Sequence, residues 1–204
     1  MFNSPRASAC DESVGLLPSE MEMVDSLVVE QIKRFEVDFL NSITKVKILV
    51  DDQRIKAGDG TTLEPRLGSS IELERWIAEE LARSGVASLQ DDVQIDRVSL
   101  NRIRWLETSI SADALRSLPQ GFYPRARRIL QASKASDQDR QNEIDSAIRE
   151  ILNARLRKLL RLAIAPSLPQ DAHASMQPEE RLLYEMIHRC LSSWKEGILG
   201  AGWK

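Results

Sequence analysis

Metal or acid–base chemistry would begin with histidine, and the sequence has two, His173 and His188. Neither belongs to a spaced set of carboxylates or cysteines such as a metal ion needs, so His173 reads as a solvated loop residue and His188 as a helix-surface residue. The two cysteines, Cys10 and Cys190, lie far apart without spaced partners. That argues against a disulfide framework or a zinc cluster and fits a reducing cytoplasm. The stretch "AGDGTT" meets neither the P-loop nor the dinucleotide spacing and reads as a plain turn. "DDQRIKAGDG" lacks the alternating ligands and terminal glutamate of a calcium loop. No Ser, His and Asp grouping stands out, since such triads are recognised by geometry rather than order. The residues support no enzyme activity, and no metal or cofactor is expected.

Two basic clusters remain. "RARR" holds Arg125, Arg127 and Arg128, and "RLRK" holds Arg155, Arg157 and Lys158. Either could touch phosphate or an acidic partner surface. The bland alternatives are a solvated face for the first and cations suited to a helix C-terminus for the second. Among the tryptophans, Trp76 sits at core spacing, while Trp203, next to the end, docks on a partner or is loose.

The net charge of −3 argues against a protein that binds nucleic acid over its whole surface. The apolar fraction, 42%, is enough for a real core in a chain of 204 residues. The first residues lack the pattern of a signal peptide, and no apolar run is long enough to span a membrane. Residues 1–22 read as a mobile tail, 23–67 as a small β-containing module, and 68–204 as a helical domain.

Within the module, Leu27, Val28, Ile32, Phe35 and Phe39 suggest a short helix. Val46, Ile48 and Val50 then alternate as a strand, Gly58–Gly60 form a turn, and 61–63 return as a second strand. "GSSIELERWIAEELARSGVASL", residues 68–89, is read as one helix. Ser69 and Glu72 form its capping box, Leu73, Trp76, Ile77 and Leu81 its inner face, and Gly85 its stop. Residues 93–118 read as helical with a break near Thr108, and Pro124 suits the first turn of another helix. A long helix over 137–164, capped by Ser136, has a wide apolar face, and Pro178 starts a last helix. The fold class expected is mainly α, a helical bundle preceded by a small β-rich domain. The apolar faces of the last two long helices exceed what one small domain buries, which points to an obligate partner. Phe122, Tyr123, Leu156, Leu159, Tyr184 and Trp194 are the candidate assembly contacts.

This order of elements resembles a subunit of the GINS complex, of the class whose small β domain precedes the helical domain, as in the partner-of-Sld-five subunits and their archaeal counterpart. The resemblance covers roughly residues 40–199. Leu73, Trp76, Ile77, Ala78 and Leu81 fit the family's helix after the β module, and Leu89 fits the residue closing the next turn. Glu74 stands where relatives often have proline. Phe122 and Tyr123 match an aromatic pair, and Glu143, Ile144, Arg155, Lys158 and Leu159 match positions of the long helix.

The resemblance implies a non-catalytic scaffold of archaeal type in the nucleoid-associated cytoplasm. Its partners would be a sister GINS subunit of reversed domain order in a hetero-tetramer, the MCM helicase ring and a RecJ-related protein. Direct DNA binding would be weak or absent. In that setting Arg125, Arg127, Arg128, Arg155 and Lys158 pair with acidic groups inside the assembly. The rival is a helical DNA-binding regulator, which would need a compact helix-turn-helix, and none stands out.

Overall fold

A computed structural model of the chain describes residues 18–51, 54–90, 95–109, 114–132 and 138–200. The chain divides into two compact units, Met1–Arg34 and Phe35–Lys204. In the first, the described residues belong to helix α1 (Pro18–Asn41), where Arg34 Nη2 donates to Glu30 Oε1 at 3.0 Å. The tail expected over 1–22 falls mostly outside the described residues, and 18–22 are already helical. Ser136, the expected cap of the long helix, also lies outside them.

The second unit opens on a three-stranded antiparallel sheet in the order β4-β1-β5: β1 (Ile43–Ile48), β4 (Ser70–Glu74) and β5 (Ala87–Leu89). The alternation of "ITKVKI" turns Thr44, Val46 and Ile48 inward and leaves both lysines in water. A two-stranded hairpin, β2 (Ile55–Lys56) and β3 (Thr62–Leu63), stands beside it. Its turn is held by Asp59, whose Oδ1 accepts from the Thr61 amide at 2.8 Å and the Thr61 hydroxyl at 2.7 Å. Gly60, at φ +85°, supplies the left-handed step.

The stretch read as one helix over 68–89 is three elements. "SIELE" pairs as β4 against β1, with Ile71 opposite Val46 and Leu73 opposite Thr44. Helix α2 (Arg75–Arg83) follows, and β5 comes after the turn at Gly85, φ +76°. Ile71 and Leu73 alternate with Ser70, Glu72 and Glu74, a period-two signal that was hidden because Leu73, Ile77 and Leu81 also satisfy helical spacing. The waiting edge of β1 decides between the two periods. Ser69 caps no helix; its hydroxyl donates to the Arg66 carbonyl at 2.6 Å.

Leu73, Ile77 and Ala78 close one core with Val46, Ile48, Ile55 and Ala87, and Leu81 packs against it. The anchors expected for the helical domain therefore anchor the β region, which runs on to Leu89, past the expected division at 67. Trp76 is no core residue: it follows Arg75 on the outer side of α2 and is 49% exposed.

The helical bundle comprises α3 (Arg97–Ser109), α4 (Phe122–Ala132), α5 (Gln138–Ile164), α6 (Gln170–Ser175) and α7 (Pro178–Leu199). The fold is thus mainly helical, a bundle preceded by a small β-sheet region. At ~1.5 Å per residue α5 is about 40 Å long, and both α3 and α7 pack along it. It carries two cores. Ala147, Ile148 and Ile151 meet Leu100, Leu118, Phe122 and Ala126. Leu159, Leu162 and Ala163 meet Leu115, Ala172, Met176 and Tyr184. His173 lies in the short helix α6 rather than in a loop, and it is exposed.

Candidate assembly site and the charges that hold it

Ile151, Arg155, Lys158 and Leu159 follow one another on the inward face of α5, so the helix carries two cations into the bundle between its two cores. Both are buried, and both are answered. Arg155 Nε and Nη2 donate to Glu180 Oε1 and Oε2 at 2.7 and 2.6 Å. Its Nη1 donates to the Arg116 carbonyl at 2.6 Å and lies 3.3 Å from Glu107 Oε1. Lys158 Nζ donates to Glu107 Oε2 at 2.7 Å. The Tyr123 hydroxyl donates to Glu180 Oε1 at 2.7 Å, and the Gln177 backbone N–H donates to Glu180 Oε2 at 2.9 Å. Two cations thus face two carboxylates, and Arg155 is bonded through all three of its nitrogens, which is the condition for tolerating such an ion in a core.

Burial alone would lower the Arg155 pKa, but the adjoining Glu180 and Glu107 outweigh it and hold the guanidinium above its ordinary value. Burial pushes the Tyr123 phenol far up, and the Glu180 charge adds to the rise, so Tyr123 serves as a neutral donor. Arg155 and Lys158 are therefore structural, and neither can reach a phosphate or a partner surface.

The "RARR" cluster is likewise spent inside the chain. Arg127 Nη1 donates to Glu36 Oε2 at 2.8 Å, and Arg128 Nη1 pairs with Glu79 on α2. The ring of Phe39 lies 4.6 Å from the Arg75 guanidinium carbon, 5.3 Å from that of Arg125 and 5.9 Å from that of Arg128. This contact joins the C-terminal end of α1, the β region through α2, and the bundle through α4.

Of the six expected assembly contacts, four belong to the chain's own interior. Phe122, Leu159 and Tyr184 are core residues, and Tyr123 is held edge-on to Phe122 with its hydroxyl in the charge network. The period of an apolar helix face does not say whether the chain or a partner covers it, which is why the sequence left them together. Leu156 and Trp194 do face outward. Leu156 belongs to a row of Leu152, Leu160 and Ile164, all exposed at intervals of four residues along α5, and Trp194 is followed on α7 by exposed Ile198 and Leu199.

Glu107 and Glu180 were missed from the sequence, yet both leave a trace. Glu107 continues the apolar row of Leu100 and Ile103 on α3, a carboxylate where a hydrophobe is due. Glu180 stands three residues after Gln177 and completes the capping box of α7. Acids and bases that interrupt apolar faces of one bundle are candidates to neutralise each other.

His188 stacks on Tyr184 at 5.6 Å, and its Nδ1 lies 3.2 Å from the Ala163 carbonyl, a packing role. Among the described residues no group of three or more His, Cys, Asp or Glu is placed to hold a metal ion, and no helix is long and apolar enough to cross a membrane.

Residues 94–199, more than half of the chain, match the family model described as Sld5, GINS complex protein helical bundle domain. The chain belongs to the GINS family. The matched GINS bundle runs from just before α3 to the end of α7, so it contains both bundle cores, the charge network and the exposed apolar rows. As a GINS subunit the chain takes part in DNA replication within a complex of such subunits. Several residues behind the sequence resemblance now have physical roles in the GINS bundle: Phe122 and Leu159 fill its cores, and Tyr123, Arg155 and Lys158 bind its buried carboxylates. No curated protein matches the chain.

Proposed function

We propose that this chain is a non-catalytic scaffold subunit of a GINS complex of archaeal type, assembled as a hetero-tetramer with a sister subunit of reversed domain order. The assembly supports the MCM helicase ring together with a RecJ-related protein in the nucleoid-associated cytoplasm. One observation carries this reading. A chain that neutralises its buried charges nonetheless leaves Leu152, Leu156, Leu160 and Ile164 on α5, and Trp194, Ile198 and Leu199 on α7, open to water. Contiguous apolar surface of this kind is characteristic of obligate interfaces. Leu156 and Trp194 are its central contacts.

The β region serves as the docking appendage for helicase-associated proteins. Direct DNA binding is weak and non-specific, because Arg127, Arg128, Arg155 and Lys158 already face carboxylates.

Co-expression with a sister subunit, followed by mass measurement in solution, tests the proposal. The wild-type pair should run as a hetero-tetramer, and Leu156→Asp with Trp194→Asp should break it into folded smaller species. A wild-type chain that stays monomeric beside its sister, or a double variant that still assembles, would sink it.

A further inference from the structure

The β region and the bundle keep separate cores. The core under the sheet draws on residues between Val46 and Leu89, and the two bundle cores on residues from Ile95 onward. Among the described residues no apolar cluster spans both.

What joins them is charged. Arg75 of α2 and Arg125 and Arg128 of α4 lie around the Phe39 ring, and Arg128 pairs with Glu79 of α2. The side chains of that ion pair stay 31% and 23% exposed. Beside it a cleft of about 530 Å³ opens between α2 and α4, lined by Leu40, Trp76, Glu79, Arg83, Arg128 and Gln131. Two packed bodies thus meet across an open cleft through an aromatic ring and an ion pair. Bodies joined without a large apolar interface move relative to each other by default. A partly exposed ion pair opposes that motion only weakly, and a guanidinium over a ring adds a modest amount. The joint is therefore where the chain opens most easily, since neither core need be breached.

We infer that Glu79, Arg128 and Phe39 form a latch, and that the β region pivots on the bundle as one body when the latch opens. The pivot lies at Ser42, the single residue between the end of α1 at Asn41 and the start of β1 at Ile43. Phe39 belongs to the bundle side of the joint: its ring packs against Gly121, and Glu36, three residues earlier, holds Arg127. Arg75 and Glu79 of α2 are the moving side. Closed, the latch presents the β region in one orientation; open, it lets the region follow whatever it docks. The pivot is a property of the chain alone, so it stands or falls independently of the tetramer.

Pulsed electron spin resonance on the full chain tests it, with nitroxides at exposed Lys47 on β1 and exposed Arg149 on α5. Cys10 and Cys190 are replaced by serine. A second label pair within the bundle, Arg149 with Glu185, is the control. At low salt the otherwise unchanged chain should give one narrow distance between Lys47 and Arg149. Glu79→Gln and Phe39→Leu should each broaden that distance roughly twofold or more, since little else holds the joint. The exchanged pair, Glu79→Arg with Arg128→Glu, should narrow it again, while the bundle distance stays narrow throughout. A distance already broad without these changes, a Glu79→Gln distance as narrow as the original, no recovery in the exchanged pair, or equal broadening of the bundle pair would each overturn the inference.

Discussion

Arg155 and Glu180 meet side on, the guanidinium Nε and Nη2 donating to both oxygens of one carboxylate at 2.7 and 2.6 Å, with neither side chain more than 3% exposed. The contact fixes the middle of α5 against the first turn of α7, and Glu180 is at the same time the residue that caps α7. Position along the bundle and formation of the last helix are therefore set by one carboxylate.

Arg155→Met is expected to cost about 3–5 kcal/mol, because it leaves Glu180 buried without its cation. Arg155→Lys should recover only part of this, since an ammonium cannot reproduce the two-point fork. Denaturant unfolding of the three proteins decides it. Equal stability of the methionine variant and wild type would show that the network is energetically idle.

The joint between the β region and the bundle gives a second test. A Cβ placed on Gly121 would run into the Phe39 ring, and Gly121 sits at φ +65°. Gly121→Ala should therefore destabilise by about 1–3 kcal/mol, from overpacking and backbone strain together. Gly197→Ala meets open space within a helix and should be neutral or stabilising. Thermal midpoints of the two variants, measured side by side, separate a local clash from a general dislike of alanine.

How much of this was legible in the sequence depends on which property each residue type reports. The β1 alternation, the Gly58–Gly60 turn and the long apolar helices were readable because burial repeats with the period of the element. β4 was misread because Leu73 satisfies two periods at once, and only the neighbouring strand removes the ambiguity. Arg155 and Lys158 were noticed as cations, but their burial was not, because charge composition does not reveal a partner 25 residues away in Glu180 or 48 residues away in Glu107. Phe122 and Tyr184 were assigned to a partner surface for the same reason: an apolar face is visible in sequence, its cover is not.

The misread stretch itself yields a prediction. Leu73 is 1% exposed and Trp76 is 49% exposed, although the two lie three residues apart. Leu73→Ala should cost about 2–5 kcal/mol through the cavity it opens beneath the sheet. Trp76→Ala should leave the unfolding free energy within about 0.5 kcal/mol of wild type, the range for surface changes. A large loss from Trp76→Ala would restore the tryptophan to the core.

The last prediction concerns acid. Loss of water, the largest influence on Glu179, raises its carboxyl above the ordinary value of 4.5; a hydrogen bond from its own backbone amide opposes the rise, the Glu180 charge adds to it and Arg127 opposes it. For an acid whose folded pKa is raised, the protonated form is the one the fold favours. Its contribution is therefore most favourable at low pH and is lost as pH rises from the unfolded value through the raised folded value. At neutral pH the ionised Glu179 weighs against folding, even though the N-terminus of α7 attracts it. Glu179→Gln should accordingly unfold at a higher temperature than wild type at neutral pH, and the gap should close as the solution is acidified below the unfolded glutamate pKa. Thermal melts of both proteins across that interval are the measurement. If the glutamine variant is the less stable at neutral pH, the helix dipole outweighs desolvation at this position, and the carboxylate is content without a cation.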